Sequence, residues 1–418
     1  MNARPESWPR PADPQGAALA ALLAIALFFG TWGVMHQWFY ARSHIVDTPV
    51  YQRYGDAMAH GKVPYRDFRV EYPPGALPMF VLPSLGHTGD FDAFRRIFEA
   101  LMAICGAAAV AFVEVALLGL GAGRGRLVAG LGFAALAPLA LGSVVLSRFD
   151  LWPAALTAAA LAALVVGRER LGFGALGLAV AAKIYPGVLL PLAIAYVWRR
   201  SGRREALISL GVFGGVLAAC FAPFLALAPH GVWESVVRQA NRPLQIESLG
   251  ASLLLVLHQI GGVAITMRPS HGSQNLAGTA PDVLAGIQSA LQVGVLLGLW
   301  IAFARGPADR ERLVRMSAAA VCAFIALGKV LSPQFLIWLV PLVPLVRRRR
   351  GLACAGLLAA AMVLTQLWFP FRYWRLALSF DEISSWLVFL RDLVLLGLLC
   401  ALAWPERVRA GSGSPRSP

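Results

Sequence analysis

The side chains with the clearest capacity for chemistry cluster between residues 39 and 96. There Asp47, Asp56, Asp67 and Glu71 alternate with Tyr51, Tyr54 and Tyr72, ending in Pro64-Tyr-Arg-Asp67-Phe-Arg-Val-Glu71-Tyr-Pro-Pro74. A carboxylate within reach of a hydroxyl can take its proton as it attacks, and aromatic rings offer flat faces for sugars. A chain that only packs helices in lipid has little use for such a loop, whereas an enzyme at the outer membrane surface does. Asp47 stands just past the first apolar run and is the leading candidate base. It is also well placed to cap the helix that Thr48-Pro49 should start. Asp56, Asp67 and Glu71 compete for the same role, and Asp67 and Glu71 also have an ordinary charge spacing beside Arg66 and Arg69.

Cations are the second group. Lys183 and Lys329 each interrupt apolar sequence, where a charge costs about 2.5–3.5 kcal/mol unless it meets a polar cavity and a partner. That partner is a lipid-linked phosphate, or a carboxylate such as Asp150, or the surface reached by snorkelling. In Ser147-Arg-Phe-Asp-Leu-Trp-Pro153, Arg148 and Asp150 fall on one face and could pair with each other. A further cluster, Trp233, Arg238, Asn241, Arg242, Gln245, Glu247 and Ser248, suits a sugar, a phosphate or a solvated loop. Glu114 and the Arg391-Asp392 pair are charges inside apolar runs, Glu114 expected to pair within the bundle and Arg391 able to line the cavity. His44 with Asp47 makes only a two-ligand metal set, and nothing completes it at a recognisable spacing.

The elements that position these residues are membrane helices. Of the 418 residues, 58% are hydrophobic and 14% charged, with mean hydropathy +0.65; such a chain is an integral membrane protein. The net charge of +15 does not point to nucleic acid, because the arginines recur in every second connection: 124–126, 168–170, 199–204, 305–315 and 347–350, with Arg4 and Arg10. This is the positive-inside pattern. It predicts about twelve spans, at 17–38, 97–120, 127–146, 151–167, 171–183, 186–198, 205–228, 283–304, 316–330, 334–346, 352–369 and 385–404. Residues 1–16 would be a cytoplasmic N-terminus, 17–404 a single transmembrane domain, and 405–418 a disordered cytoplasmic tail. Outer loops would span 39–96 and 229–282, with Ala76–Leu85 and Ala251–Met267 as interfacial or re-entrant helices. Residues 171–200 and 316–350 share one scheme, a short apolar run, a lysine, a proline and a second run ending in arginines. Each reads as a hairpin that leaves its lysine recessed beneath an outward-facing cavity. The five cysteines are odd in number and lie in apolar runs, so no disulfide framework is indicated.

Six segments together resemble the bacterial polyprenol-phosphate-mannose-dependent mannosyltransferases, membrane glycosyltransferases of GT-C type. They are Val46-Asp47-x-x-Val-Tyr51, Pro64-Tyr-x-Asp-Phe68 with Glu71-Tyr-Pro-Pro74, Arg148-Phe-Asp-Leu-Trp-Pro153, Ala182-Lys-Ile-Tyr-Pro186, Arg242-Pro-Leu-Gln-Ile-Glu-Ser248 and Lys329-Val-Leu-Ser-Pro-Gln334. The resemblance implies an all-α polytopic fold and transfer of a mannosyl residue from a polyprenyl phosphate to a glycolipid or cell-envelope acceptor, at the outer face of the cell membrane. It implies Asp47 as base, with Lys183, Lys329, Arg148, Arg242 and Arg238 as phosphate contacts. Tyr51, Tyr54, Tyr72, Gln245, Glu247 and Gln334 are the corresponding sugar or acceptor contacts. No cofactor and no metal are expected, since the cations can neutralise the leaving group. A transporter or flippase of lipid-linked solutes is the alternative from another class, and arabinofuranose or glucose are alternative sugars.

Overall fold

The computed structural model describes residues 14–42 and 45–405. Arg4 and Arg10, His44 and the tail from 406 lie outside them. In hydrocarbon a chain must satisfy its backbone groups internally, and the apolar runs accordingly fold as helices. They are α1 (Pro14–Val34), α2 (Thr48–Ala59), α3 (Pro78–Ser84), α4 (Phe91–Gly119), α5 (Arg124–Leu141), α6 (Leu151–Val165), α7 (Glu169–Ala182), α8 (Leu190–Ser201), α9 (Arg203–Leu227), α10 (Pro229–Ala240) and α11 (Leu249–Gly261). A hairpin of β1 (Thr266–Ser270) and β2 (Ser273–Ala277) follows, then α12 (Thr279–Arg305), α13 (Arg310–Ala326), α14 (Arg348–Trp368), α15 (Tyr373–Ser379) and α16 (Glu382–Ala403). The hairpin departs from the purely helical expectation for this stretch, in which Ala251–Met267 forms an interfacial or re-entrant helix. Gly262 takes a left-handed conformation and stops α11, and the strands pair from Thr266↔Ala277 to Ser270↔Ser273.

Seven of these helices, α1, α4, α5, α9, α12, α14 and α16, are long and apolar enough to cross a membrane. The other expected spans are shorter. α7 has 14 residues and rises about 21 Å, well under a core of about 30 Å. α6 and α13 are alanine-rich and almost wholly buried, small side chains allowing neighbours to approach closely. α9 is the opposite, with only 6% of its apolar window buried, and faces outward from the bundle. The expected helix at 334–346 is replaced by two 3-10 stretches, Pro333–Leu339 and Val343–Leu345. Pro333, Pro341 and Pro344 bring no N–H and so cannot sustain an α ladder.

The two lysine hairpins are present. Lys183 is extended (φ −159°, ψ 141°) where α7 ends, and Lys329 follows the end of α13. Tyr185 stacks on Trp338 at 4.0 Å between centroids, joining one hairpin to the other. The first loop folds onto this pair. Trp152 Nε1 donates to the Gly75 carbonyl at 3.1 Å, and a Cβ on Gly75 would stand 2.6 Å from the Ala181 carbonyl carbon, so only glycine lets Pro73-Pro74-Gly75 sit against α7.

Candidate functional site

One cavity of about 680 Å³ collects most of the residues singled out from sequence. Its wall takes Asp47 from the start of α2, Glu71 and Tyr72 from the loop before α3, and Arg148 from the turn before α6. Lys183 comes from the first hairpin, Lys329 and Gln334 from the second, and Arg242, Gln245 and Glu247 from the segment before α11. The His271-Gly272 turn of the β-hairpin closes one side, Gly272 passing close to the Glu71 carboxyl.

Asp47 begins α2 but makes no side-chain cap bond. Its Oδ1 lies 2.8 Å from Arg148 Nη1, and its Oδ2 accepts from the Tyr51 hydroxyl at 3.4 Å. Arg148 also donates to the Ile45 carbonyl at 3.3 Å. Tyr51 itself is 1% exposed and stacked on Phe80 at 4.6 Å, so it belongs to the aromatic core that seats Asp47 rather than to the cavity wall. Tyr54 packs on Phe68 and Phe80 and likewise stays out of the cavity, whereas Tyr72 lines it.

Arg148 and Asp150 do not pair with each other. Residue 149 turns the chain between them, and Asp150 goes beneath the floor, 1% exposed. There its Oδ1 accepts from Lys183 Nζ at 2.6 Å and from Trp338 Nε1 at 2.6 Å. Lys183 also sits over the rings of Phe149, Trp338 and Phe335 at 4.7, 5.1 and 5.5 Å. One buried carboxylate therefore ties both hairpins together and holds Lys183 in place. Lys329 is bound only lightly, its Nζ donating to the Ala240 carbonyl at 2.9 Å. The turn around it is firmly held, Gln288 donating to the Gly328 carbonyl at 2.6 Å and Gln292 to that of Phe324 at 2.7 Å.

Two competing carboxylates are elsewhere. Asp56 accepts from the Gly89 amide at 3.1 Å. Asp67 accepts from Val63 N at 2.7 Å and Arg66 at 2.9 and 3.0 Å, and its hydrogen bonds with Arg66 and the Val63 amide hold it low, at about 2. Both fasten loop turns, and neither lines the cavity. Arg238 is exposed on α10 and also off the wall, while Arg242 lines it and donates to Ser273 Oγ at 3.0 Å. Glu114 is half-buried on α4 with no ion-pair partner among the described residues. Arg391 does not reach the cavity. It is fully buried, pairs with Asp392 at 2.7 Å, and its Nη2 donates to the Glu247 carbonyl at 2.7 Å.

The charge balance favours an anion. Asp47 and Asp150 are each paired with a cation, leaving Arg242 and Lys329 without an ion pair among the described residues. Burial raises the Glu71 carboxyl against the pull of Arg242 and Arg238, and raises Glu247 to about 8 against Arg391 and Arg148. Carboxyls so raised are more nearly neutral, and the cavity is left with excess positive charge. Aromatic residues that no motif flagged, Phe369, Tyr373, Trp338 and Phe335, complete the wall. Trp338 lies in an ordinary apolar run and Tyr373 between Arg372 and Arg375 in the connection after α14, and only the way those segments meet makes them lining residues. Among the described residues no three of His, Cys, Asp and Glu converge on a metal site.

Residues 71–333 match glycosyltransferase family 87. The chain belongs to that family. It is therefore a GT-C-type membrane glycosyltransferase, and the family decides between transferase and transporter in favour of the enzyme. The matched stretch holds Glu71, Asp150, Lys183, Arg242, Glu247 and Lys329, and begins after Asp47. Among solved structures the chain is similar to ArnT from Cupriavidus metallidurans, crystallised with undecaprenyl phosphate, with 16% identity and a TM-score of 0.48 over 92% of this chain and 76% of that one. No curated protein matches the sequence.

Proposed function

We propose that this glycosyltransferase moves a mannosyl residue from a polyprenyl phosphate to a hydroxyl of a glycolipid or other cell-envelope acceptor, inverting the anomeric centre. The observation that carries this reading is the convergence of Asp47 with Arg148, Lys183, Arg242 and Lys329 on one cavity. The acceptor O–H gives its proton to Asp47 as its oxygen bonds to the anomeric carbon. The bond from that carbon to the phosphate oxygen breaks, and the polyprenyl phosphate leaves with its charge increased by one. Preorganised cations stabilise that charge where it develops, Lys329 and Arg242 directly and Arg148 and Lys183 from within their ion pairs.

The site lies at the outer face in this reading, with both termini in the cytoplasm and about twelve passages counted as spans or half-spans. The support is the placement of arginines: Arg199 and Arg200 lie in the last turn of α8, at the end of the hairpin remote from Lys183, and Arg347–Arg350 stand likewise beyond the second hairpin.

The test offers the purified full chain a panel of polyprenyl-phosphate donors carrying mannose, glucose or arabinofuranose, with a membrane lipid extract, and follows products by mass spectrometry. A new mannolipid from the first donor alone is expected. A product from another donor alone would overturn the sugar, and none from any would overturn the donor class.

A further inference from the structure

We propose that Gln245, Glu247 and Gln334 form a subsite that reads the hydroxyls of the transferred sugar, separate from the cations that take the phosphate. The inference rests on the reading of a lipid-linked sugar phosphate as donor. It starts from three buried side-chain oxygens without a hydrogen-bond partner, Gln245 Oε1, Glu247 Oε1 and Gln334 Oε1, on residues that line the cavity. A buried acceptor left unpaired costs about 1–3 kcal/mol. Three such oxygens on neighbouring segments ask for a ligand rich in hydroxyls, which both donate and accept.

The subsite is rigid. Gln245 is 3% and Glu247 1% exposed. Gln245 Nε2 donates to Glu247 Oε2 at 2.6 Å and to Ser332 Oγ at 2.9 Å, which leaves its own oxygen free. The Gln245 backbone N–H donates to the Lys329 carbonyl at 3.0 Å, and the Ile246 backbone N–H to that of Gln274 at 3.1 Å, so the segment is sewn to the second hairpin and to β2. Arg391 holds the Glu247 carbonyl from behind.

The chemistry of these atoms selects a sugar over a phosphate. An ionised phosphate brings only acceptors, which the two amide oxygens of Gln245 and Gln334 repel; a sugar hydroxyl both donates and accepts. Glu247 is faced by Arg391 and Asp392 of α16 and by Arg148 and Arg242, and burial outweighs the cations, so the carboxyl keeps its proton at neutral pH. Because Oε2 accepts from Gln245, that proton sits on Oε1 and is offered to a sugar oxygen. Glu247 thus differs from the amides in giving as well as taking.

Titration calorimetry on the full chain in detergent tests this with polyprenyl-phosphate-mannose, its single-deoxy analogues and polyprenyl phosphate without sugar. The wild type should bind the sugar-bearing lipid about tenfold or more tighter than the bare phosphate, with one deoxy position losing most of that gain. Glu247→Ala and Gln334→Ala should each erase the preference while changing bare polyprenyl phosphate affinity by less than about threefold. Glu247→Gln, of the same shape, should fold as wild type and keep part of the preference. No preference in the wild type, an unchanged ratio in the variants, or parallel weakening of both ligands would overturn the subsite. If no transfer is ever detected but the variants lose the preference, the transfer reading fails and the subsite stands. Transfer with an unchanged ratio removes the subsite alone.

Discussion

Arg148 Nη1 stands 2.8 Å from Asp47 Oδ1, so the first carboxylate after the first span meets an arginine from the turn before α6. The pair leaves Asp47 Oδ2, shared with the Tyr51 hydroxyl, to serve an incoming hydroxyl. Arg148 is 5% exposed and cannot relax into water. Arg148→Gln should therefore lower transfer by about 10²-fold or more, by freeing Asp47 to rotate as well as by removing a phosphate contact. Retention of full rate in this variant, measured on protein of wild-type melting temperature, would show the pair to be a loop clasp.

The two lysines should separate cleanly. Lys183→Ala leaves Asp150 as an uncompensated buried charge and should cost about 3–5 kcal/mol of stability, with Asp150→Asn in the same chain restoring much of it. Lys329→Ala breaks no ion pair, so it should melt like wild type and raise KM for the donor. Thermal shift in detergent and steady-state kinetics read the two effects, and equal melting of both single variants would contradict the division.

Stability should fall as pH rises from about 4.5 to about 8. Burial holds Glu247 up to about 8 in the folded protein, whereas the unfolded chain releases that proton at the ordinary carboxyl value of 4.5. Between those values the folded state binds the extra proton, so unfolding is favoured by alkali. Glu71, also raised by burial, adds in the same direction. Glu247→Gln removes the group and should flatten the decline in melting temperature; a slope equal to that of wild type would contradict the assignment.

Gly75→Ala tests how the first loop is seated. The added methyl would meet the Ala181 backbone at 2.6 Å, and overpacking of this kind costs about 1–3 kcal/mol. The loop should lift from α7, carrying Glu71 and Tyr72 off the cavity wall, and transfer should fall while Gly61→Ala, beside open space though at positive φ, leaves the rate largely intact. Equal rates for the two variants would argue against this seating.

Chelation should have no effect. The four cations on the wall supply the charge that a divalent ion would otherwise bring to the leaving phosphate. The expected rate in EDTA equals the untreated rate, and a loss restored by added magnesium or manganese would contradict this reading.

Much of the cavity lining was legible because its residues announce themselves by type. Lysines in apolar sequence, a carboxylate just past a span and a polar run before α11 all converge on the cavity. Pairing was not legible. Arg148 and Asp150 are two residues apart, yet each is claimed by a distant partner, and sequence spacing says nothing of a Trp338 indole arriving at Asp150. The aromatic loop misled in a different way: Tyr51 and Tyr54 have the composition of sugar contacts but supply the core on which α2 rests. Helix lengths were similarly read from hydropathy alone, which does not register that Pro333, Pro341 and Pro344 turn an apolar run into 3-10 pieces.

The central claim is that Asp47 accepts the acceptor's proton during glycosyl transfer. It is tested most directly by comparing wild type with Asp47→Asn in single turnovers with radiolabelled polyprenyl-phosphate-mannose and lipid extract. Asparagine keeps the shape but cannot take the proton, so a loss of about 10²–10⁴-fold in the rate of product formation is expected, with donor binding retained. Transfer by Asp47→Asn at the wild-type rate would contradict the account.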